Sequence, residues 1–282
     1  MNYCSPSTLE EALAILAQDE DARCLAGGAT LMAMLNAELV TPSTLISLRN
    51  IRELDGIVRT PSGFRIGAMT RHHVVAKCTT IDSGLAVVRL AAQEIGHPSI
   101  RAIGTIGGSV AHADPAADYP TALVAADAEI EISSTTGRRN VPADQFFEDY
   151  FTTTLQAGEM VNAIVLKRDP AIEVSSYIKV TRSDGDFATV SLAFCGSFKG
   201  DICSRARIAV GGCAATPIHV PLVDEMLVGK KIGSADIARA ADALASACDP
   251  IDDVRGSADY RRLLVTRLLD PALEKAKAMN KD

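Results

Sequence analysis

Two glycine pairs interrupt apolar runs of this chain, one in Ala26-Gly27-Gly28-Ala29-Thr30-Leu31 and one in Gly104-Thr105-Ile106-Gly107-Gly108-Ser109. Both mark places where a backbone must come close to something, because glycine carries no Cβ to hold a neighbour off. The first pair follows the apolar Cys24-Leu25-Ala26 and precedes a helix-like stretch over residues 29–37. Its amide N–H groups therefore sit at a helix N-terminus, where orphan donors and the positive end of the helix dipole both favour an anion. The second pair leads into Ser109-Val110-Ala111-His112-Ala113-Asp114-Pro115, whose hydroxyl, amide and carboxylate groups can serve phosphate, ribose and ring together. A tight turn is the common meaning of either motif alone. The two in one chain point to a bound diphosphate.

Other features narrow the chemistry by exclusion. At 282 residues, with 48% hydrophobic and 22% charged residues, the chain is long enough for two or more cored units. A net charge of −7 and the lack of any basic cluster exclude a nucleic-acid surface. The N-terminus, Met1-Asn2-Tyr3-Cys4-Ser5-Pro6, has neither a basic n-region nor an apolar h-region, and no stretch reaches the ~20 apolar residues of a membrane span. A cytoplasmic protein is expected. Seven cysteines are scattered without a Cys-x-x-Cys, and the histidines are either adjacent (His72, His73) or isolated (His97, His112, His219). Neither pattern suits an iron–sulfur cluster or structural zinc, so no metal site is expected in this chain. No Gly-x-Ser-x-Gly elbow, His-Glu-x-x-His, Walker lysine or Gly-x-Gly-x-x-Gly occurs, which removes the main support for hydrolase, kinase and Rossmann readings. Nor does any nucleophile stand beside a positioned base, as proton-transfer or nucleophilic catalysis requires.

The pattern along the chain is α+β, in three units. Residues 1–56 hold a helix over 7–17, opened by a Ser7-x-x-Glu10 capping box with Leu9, Leu13 and Leu16 on one face, and strands over 23–26 and 44–48 around the first glycine pair. Residues 57–170 hold a strand at 64–68, helices over 70–77 and 84–95, the second glycine pair, an alternating half-buried strand at 129–133 and another strand at 160–166, with Pro170 at the boundary. Residues 171–282 start with strands over 175–181, 187–198 and 203–210 and end with helices over 234–247 and 258–279. Pro271 is expected to kink or split the last helix.

In order, these motifs resemble those of the FAD-binding medium subunit of molybdenum hydroxylases, the carbon monoxide dehydrogenase and xanthine dehydrogenase family. Ala26 to Leu31, and Thr105 to Ser109 with Asp118, look like its two flavin-binding segments. Tyr177-Ile178-Lys179-Val180-Thr181-Arg182 with Gly185-Asp186-Phe187-Ala188 resembles its flavin-flanking strand and turn. The run from Ile208 to Pro217 resembles a later glycine-rich strand end, and Arg255 to Arg262 the entry of the last helix. The likeness implies a two-subdomain FAD-binding domain of the vanillyl-alcohol oxidase and CO dehydrogenase class, followed by a three-stranded sheet with helices.

By the same resemblance, Ala26, Gly27, Gly28, Ala29, Thr30 and Leu31 hold the diphosphate, and Thr105, Ile106, Gly107, Gly108 and Ser109 wrap its other side. Asp118 accepts ribose hydroxyls, or else is a helix-cap acid beside Pro120. Ile95 and Val161 are apolar flavin contacts, with core positions as the alternative for both. Lys179 lies at the pyrimidine edge of the flavin, where a cation stabilises the reduced ring, or else is an exposed strand lysine. Asp186 and Phe187 belong to a loop near the ring, on which an aromatic can stack. The implied protein is an oxidoreductase subunit within a heterotrimer. An iron–sulfur small subunit with 2Fe–2S clusters feeds electrons to the FAD, a large subunit holds the molybdenum cofactor and oxidises the substrate, and quinone, NAD or oxygen is the external acceptor. A stand-alone FAD oxidoreductase and a non-catalytic assembly subunit are the competing readings.

Overall fold

A computed structural model describes residues 1–279. Its first sheet is parallel, in the order β1-β3-β2, from β1 (Asn2–Cys4), β2 (Arg23–Leu25) and β3 (Thr44–Ser47). Parallel neighbours need crossovers, supplied here by α1 (Leu9–Gln18) and α2 (Leu31–Asn36). Leu9, Leu13 and Leu16 pack as expected, onto Ile46 and Leu48. The capping box is displaced by one residue because the chain stays extended through Thr8. The Thr8 hydroxyl accepts the Glu11 N–H at 3.2 Å, and the Glu11 carboxylate accepts the Ser7 N–H at 2.8 Å.

The second sheet is antiparallel, in the order β4-β5-β10-β6-β7. Its strands are β4 (Ile57–Thr60), β5 (Gly63–Gly67), β6 (Glu129–Ser134), β7 (Gly137–Pro142) and β10 (Met160–Lys167). In β6, Ile130 and Ile132 are buried while Glu129 and Glu131 face Lys167 and Arg65 on the other side. Five helices separate β5 from β6: α3 (His72–Lys77), α4 (Ala86–Glu94), α5 (Pro98–Ile103), α6 (Ile106–His112) and α7 (Asp118–Ala125). A one-turn α8 (Ala143–Phe146) and the hairpin β8 (Phe147–Asp149) and β9 (Thr152–Thr153) lead into β10.

The third sheet runs β11 (Val174–Val180), β12 (Val190–Lys199), β13 (Ile202–Gly211) and a short fourth strand, β14 (Ile218–His219). β12 begins at Val190, which leaves Asp186 and Phe187 in the turn before it. It is buried on both sides. Leu192 and Phe194 join the core under α10 (Ser234–Ala247) and α11 (Ala258–Met279), while Ala193 and Cys195 join the core of the middle sheet. A strand covered on both faces reads as a continuous apolar run rather than an alternating one. The small residues on its middle side let α4 and α7 lie close, so these two helices are held between the second and third sheets. α9 (Pro221–Leu227) precedes the two long helices. α11 continues through Pro271 without splitting, because Leu268, Leu269, Ala272 and Leu273 are buried on either side of it. Among the described residues, no helix is long and apolar enough to cross a membrane, and no group of His, Cys, Asp and Glu could hold a metal ion.

Candidate functional site

The two glycine loops meet. A Cβ on Gly27 would run into the Ile103 carbonyl and lie 3.0 Å from the Gly104 Cα, so the loops touch backbone to backbone. A Cβ on Gly108 would lie 3.7 Å from the Ala26 Cβ, in ordinary van der Waals contact with the first loop. Gly28 has φ +78°, a left-handed conformation in which a side chain would be strained, and it turns the chain from β2 into α2.

The loops differ in what they offer. Among the described residues, no protein acceptor pairs with the N–H of Gly27, Gly28, Ala29, Thr30 or Leu31, and Thr30 makes no capping bond with its hydroxyl. The second loop has already used most of its amides. Ile106 N–H donates to the Thr70 carbonyl at 3.0 Å, Gly107 N–H to the Ala68 carbonyl at 2.8 Å, Gly108 N–H to the Thr105 hydroxyl at 3.2 Å and Ser109 N–H to the Thr105 carbonyl at 3.1 Å. Thus the first loop presents amide donors without protein acceptors, while the second presents a surface whose amides are engaged, with Gly108 exposed and the half-buried Ser109 beside it. A diphosphate fits this donor set.

The remaining expected residues gather at the far end of α5. Ile95 has left α4 and caps it in extended conformation. Gly185, φ +79°, brings the turn between β11 and β12 against Gly96 and His97. The Ala188 N–H donates to the Ala116 carbonyl at 3.2 Å and the Gly212 N–H to the Pro115 carbonyl at 3.0 Å, which fastens the third sheet to the α6–α7 turn. Phe187 is 42% exposed, with the Arg255 guanidinium 5.4 Å from its ring, and Asp186 lies 3.8 Å from Arg255. Val161 is not brought to this surface; it is packed in the core of the middle sheet beside the bulge at Asn162.

Lys179 is not the exposed strand lysine of one reading. Its ammonium is buried, donating to Asp118 Oδ2 at 3.1 Å and to the Glu94 carbonyl at 2.9 Å. Nor is Asp118 a free ribose acceptor, since the Tyr177 hydroxyl donates to its Oδ1 at 2.8 Å. Burial pushes the Asp118 carboxyl above the usual carboxylate range, with Lys179 and Tyr177 opposing the shift. Tyr177 is the residue that sequence reasoning passed over. The signal was available, because a strand period of two puts it on the side of Lys179. Arg261 was also missed: buried at 4% exposure, it donates to the Thr189 and Gly212 carbonyls and pairs with Asp253, bracing both turns from α11.

Under the second loop lies His72, 5% exposed, whose own N–H donates to the Gly104 carbonyl at 3.0 Å. Burial, aided by Arg101, pushes its imidazole down to about 4 from 6.5. The unfolded chain therefore binds a proton that the folded chain does not between these two values. His72 thus stabilises above pH 6.5, and this contribution is lost as pH falls through that window, at a cost of about 3 kcal/mol in all. Urea midpoints of wild type and His72→Gln between pH 7 and pH 4 should show the variant losing less stability. Parallel curves would mean that His72 is accessible to protons in the fold.

A family model described as the FAD binding domain in molybdopterin dehydrogenase matches residues 1–167. The chain belongs to this family. A second model, the CO dehydrogenase flavoprotein C-terminal domain, matches residues 175–276. Among curated proteins, the 6-hydroxypseudooxynicotine dehydrogenase complex subunit alpha of Paenarthrobacter nicotinovorans is 35% identical over 98% of this chain and 94% of its own length. The carbon monoxide dehydrogenase medium chain of Hydrogenophaga pseudoflava is 35% identical over 97% of this chain and 96% of its own. Solved structures agree. Carbon monoxide dehydrogenase from H. pseudoflava superposes with a TM-score of 0.93 at 35% identity, covering 99% of this chain and 97% of that one. Quinoline 2-oxidoreductase from Pseudomonas putida 86 does so with a TM-score of 0.91 at 32% identity, covering 98% and 96%. The family's members are dehydrogenase and oxidoreductase subunits of multi-subunit complexes, as the motifs implied.

Proposed function

We propose that this chain is the FAD-carrying relay subunit of a heterotrimeric molybdenum hydroxylase, taking electrons from an iron–sulfur subunit and delivering them to quinone, NAD or oxygen in the cytoplasm. The observation that carries the reading is the row of amides in the first glycine loop that find no protein acceptor among the described residues, in a loop packed against the second glycine segment. Its domains divide at 1–56, 57–170 and 171–282. Ala26, Gly27, Gly28, Ala29, Thr30 and Leu31 cradle the diphosphate by N–H donation. Thr105, Ile106, Gly107, Gly108 and Ser109 bound it on the other side, through Ser109 and the exposed face of Gly108 rather than through amides. Ile95, Lys179, Asp186 and Phe187 approach the ring, Asp118 acts from behind Lys179, and Val161 supports the wall from the core. When bound, the isoalloxazine supplies the electron-accepting and electron-donating chemistry that no side chain here can provide. The molybdenum cofactor and the 2Fe–2S clusters belong to the large and small subunits.

No His or Cys lies within either glycine motif, so FAD is held without a covalent link. The chain purified alone should show flavin absorption, release all its colour into the supernatant on acid precipitation, and turn over no substrate until its partners are added. A colourless chain would favour the assembly subunit; turnover without partners would favour the stand-alone enzyme.

A further inference from the structure

Lys179 and Asp118 form an unusual pair for this molecule. Their side chains are only 3% and 5% exposed, whereas every other ion pair of the described residues leaves at least one partner partly open to water. Burying two charges is costly unless the remaining hydrogen-bonding capacity is also met. For Asp118 it is, with Oδ1 taken by Tyr177 and Oδ2 by Lys179. For Lys179 it is not. An ammonium has three donors, and this one finds two protein acceptors, Asp118 and the Glu94 carbonyl. The third N–H finds no protein acceptor among the described residues, and the Glu94 carbonyl that Lys179 holds immediately precedes Ile95.

We propose that Tyr177, Asp118 and Lys179 act as one charge-setting unit for the bound flavin: Lys179 turns its third N–H to the cofactor, Asp118 neutralises it from behind, and Tyr177 is the positioning residue that keeps Asp118 ionised and aimed at Lys179. This rests on the preceding reading that FAD binds beside Lys179. The charge presented to the ring is then that of a neutral pair rather than of a lone cation. A flavin ring that takes up two electrons and one proton gains one negative charge, so anything that unmasks Lys179 favours reduction.

The three positions therefore respond differently. Asp118→Asn removes the counter-charge and leaves Lys179 as a lone cation, so the midpoint potential rises. Lys179→Met leaves a buried carboxyl with no cation beside it. That carboxyl takes up a proton, the site returns to neutrality, and the potential falls by less than the loss of a lone cation would cause. Tyr177→Phe removes one of the bonds that favour ionised Asp118, so Asp118 is protonated at higher pH than in the wild type. The other groups facing this cluster are Glu94 from α4, Tyr119 from the same helix as Asp118, and Lys275 of α11, whose ammonium holds the Tyr177 carbonyl.

Spectroelectrochemical titration of the FAD-loaded protein across a range of pH tests this. Asp118→Asn should shift the two-electron reduction equilibrium at least tenfold towards the reduced form, about 30 mV. Tyr177→Phe should match the wild type at high pH and approach Asp118→Asn as pH falls. If Tyr177→Phe holds FAD and its potential follows the wild type at every pH, the proposal is overturned, whatever Asp118→Asn does. Loss of FAD from both variants would mark the trio as a structural brace and overturn it equally. A wild type that binds no FAD would instead sink the reading on which the proposal rests.

Discussion

Gly108→Val should give a folded, colourless protein. Gly108 is exposed in the first turn of α6, where a Cβ would lie 3.0 Å from the Thr105 hydroxyl and 3.7 Å from the Ala26 Cβ of the first glycine loop. That hydroxyl is the helix cap, a neighbour that residues with side chains tolerate at this position. The exposure leaves room for an isopropyl group, which would cover the face where the two loops meet. FAD binding should weaken by at least about a hundredfold, ~3 kcal/mol, while the unfolding free energy of the apo-protein changes by no more than about 1 kcal/mol. Absorbance at the flavin band against protein concentration, with urea unfolding of the apo-protein, measures both. A full complement of FAD in Gly108→Val would place the diphosphate away from Gly108.

Gly107→Val, one residue earlier, should fail at the level of the fold. A Cβ at that position would lie 2.7 Å from the Ala68 carbonyl oxygen and 2.8 Å from the Ala68 Cα, and the Gly107 N–H is itself bonded to that carbonyl. Here the obstacle is the protein's own backbone, not a ligand, so α6 must separate from the end of β5. Overpacking of this kind costs several kcal/mol out of a total of roughly 5–15. The apo-protein should melt roughly 10 °C lower, or express insoluble. An apo Gly107→Val that melted with the wild type would show that α6 moves freely off β5.

The contrast between these neighbours shows where the sequence was legible and where it was not. Helices at Ser234–Ala247 and Ala258–Met279 lie where their apolar spacing and flanking residues put them. The glycine pairs announced close approach, but glycine looks the same in sequence whether it is exposed, as at Gly108, or gives way to another stretch of chain, as at Gly27 and Gly107. β4 and β7 escaped notice because edge strands can be short and charged; in Gly137-Arg138-Arg139-Asn140-Val141-Pro142 only Val141 is buried. Burial of Lys179 could not be read locally either. Its partner Asp118 lies on a helix far off in sequence, and the two meet only because α7 is clasped between two sheets. The resemblance supplied the residues. It did not supply which of them touch one another.

The central strand of the middle sheet is made late. Gly107 hangs from the Ala68 carbonyl, the Ala68 N–H hangs in turn from the Asn162 carbonyl, and β10 must insert between β5 and β6 before either bond has a fixed support. Both glycine segments are therefore synthesised roughly fifty residues before β10 begins, an interval of several seconds at ~5–20 residues per second. During that interval the bonds that hold Gly107 and Ala68 lack the strand that fixes them, so the arrangement of the two loops against each other belongs to the closing stage of folding.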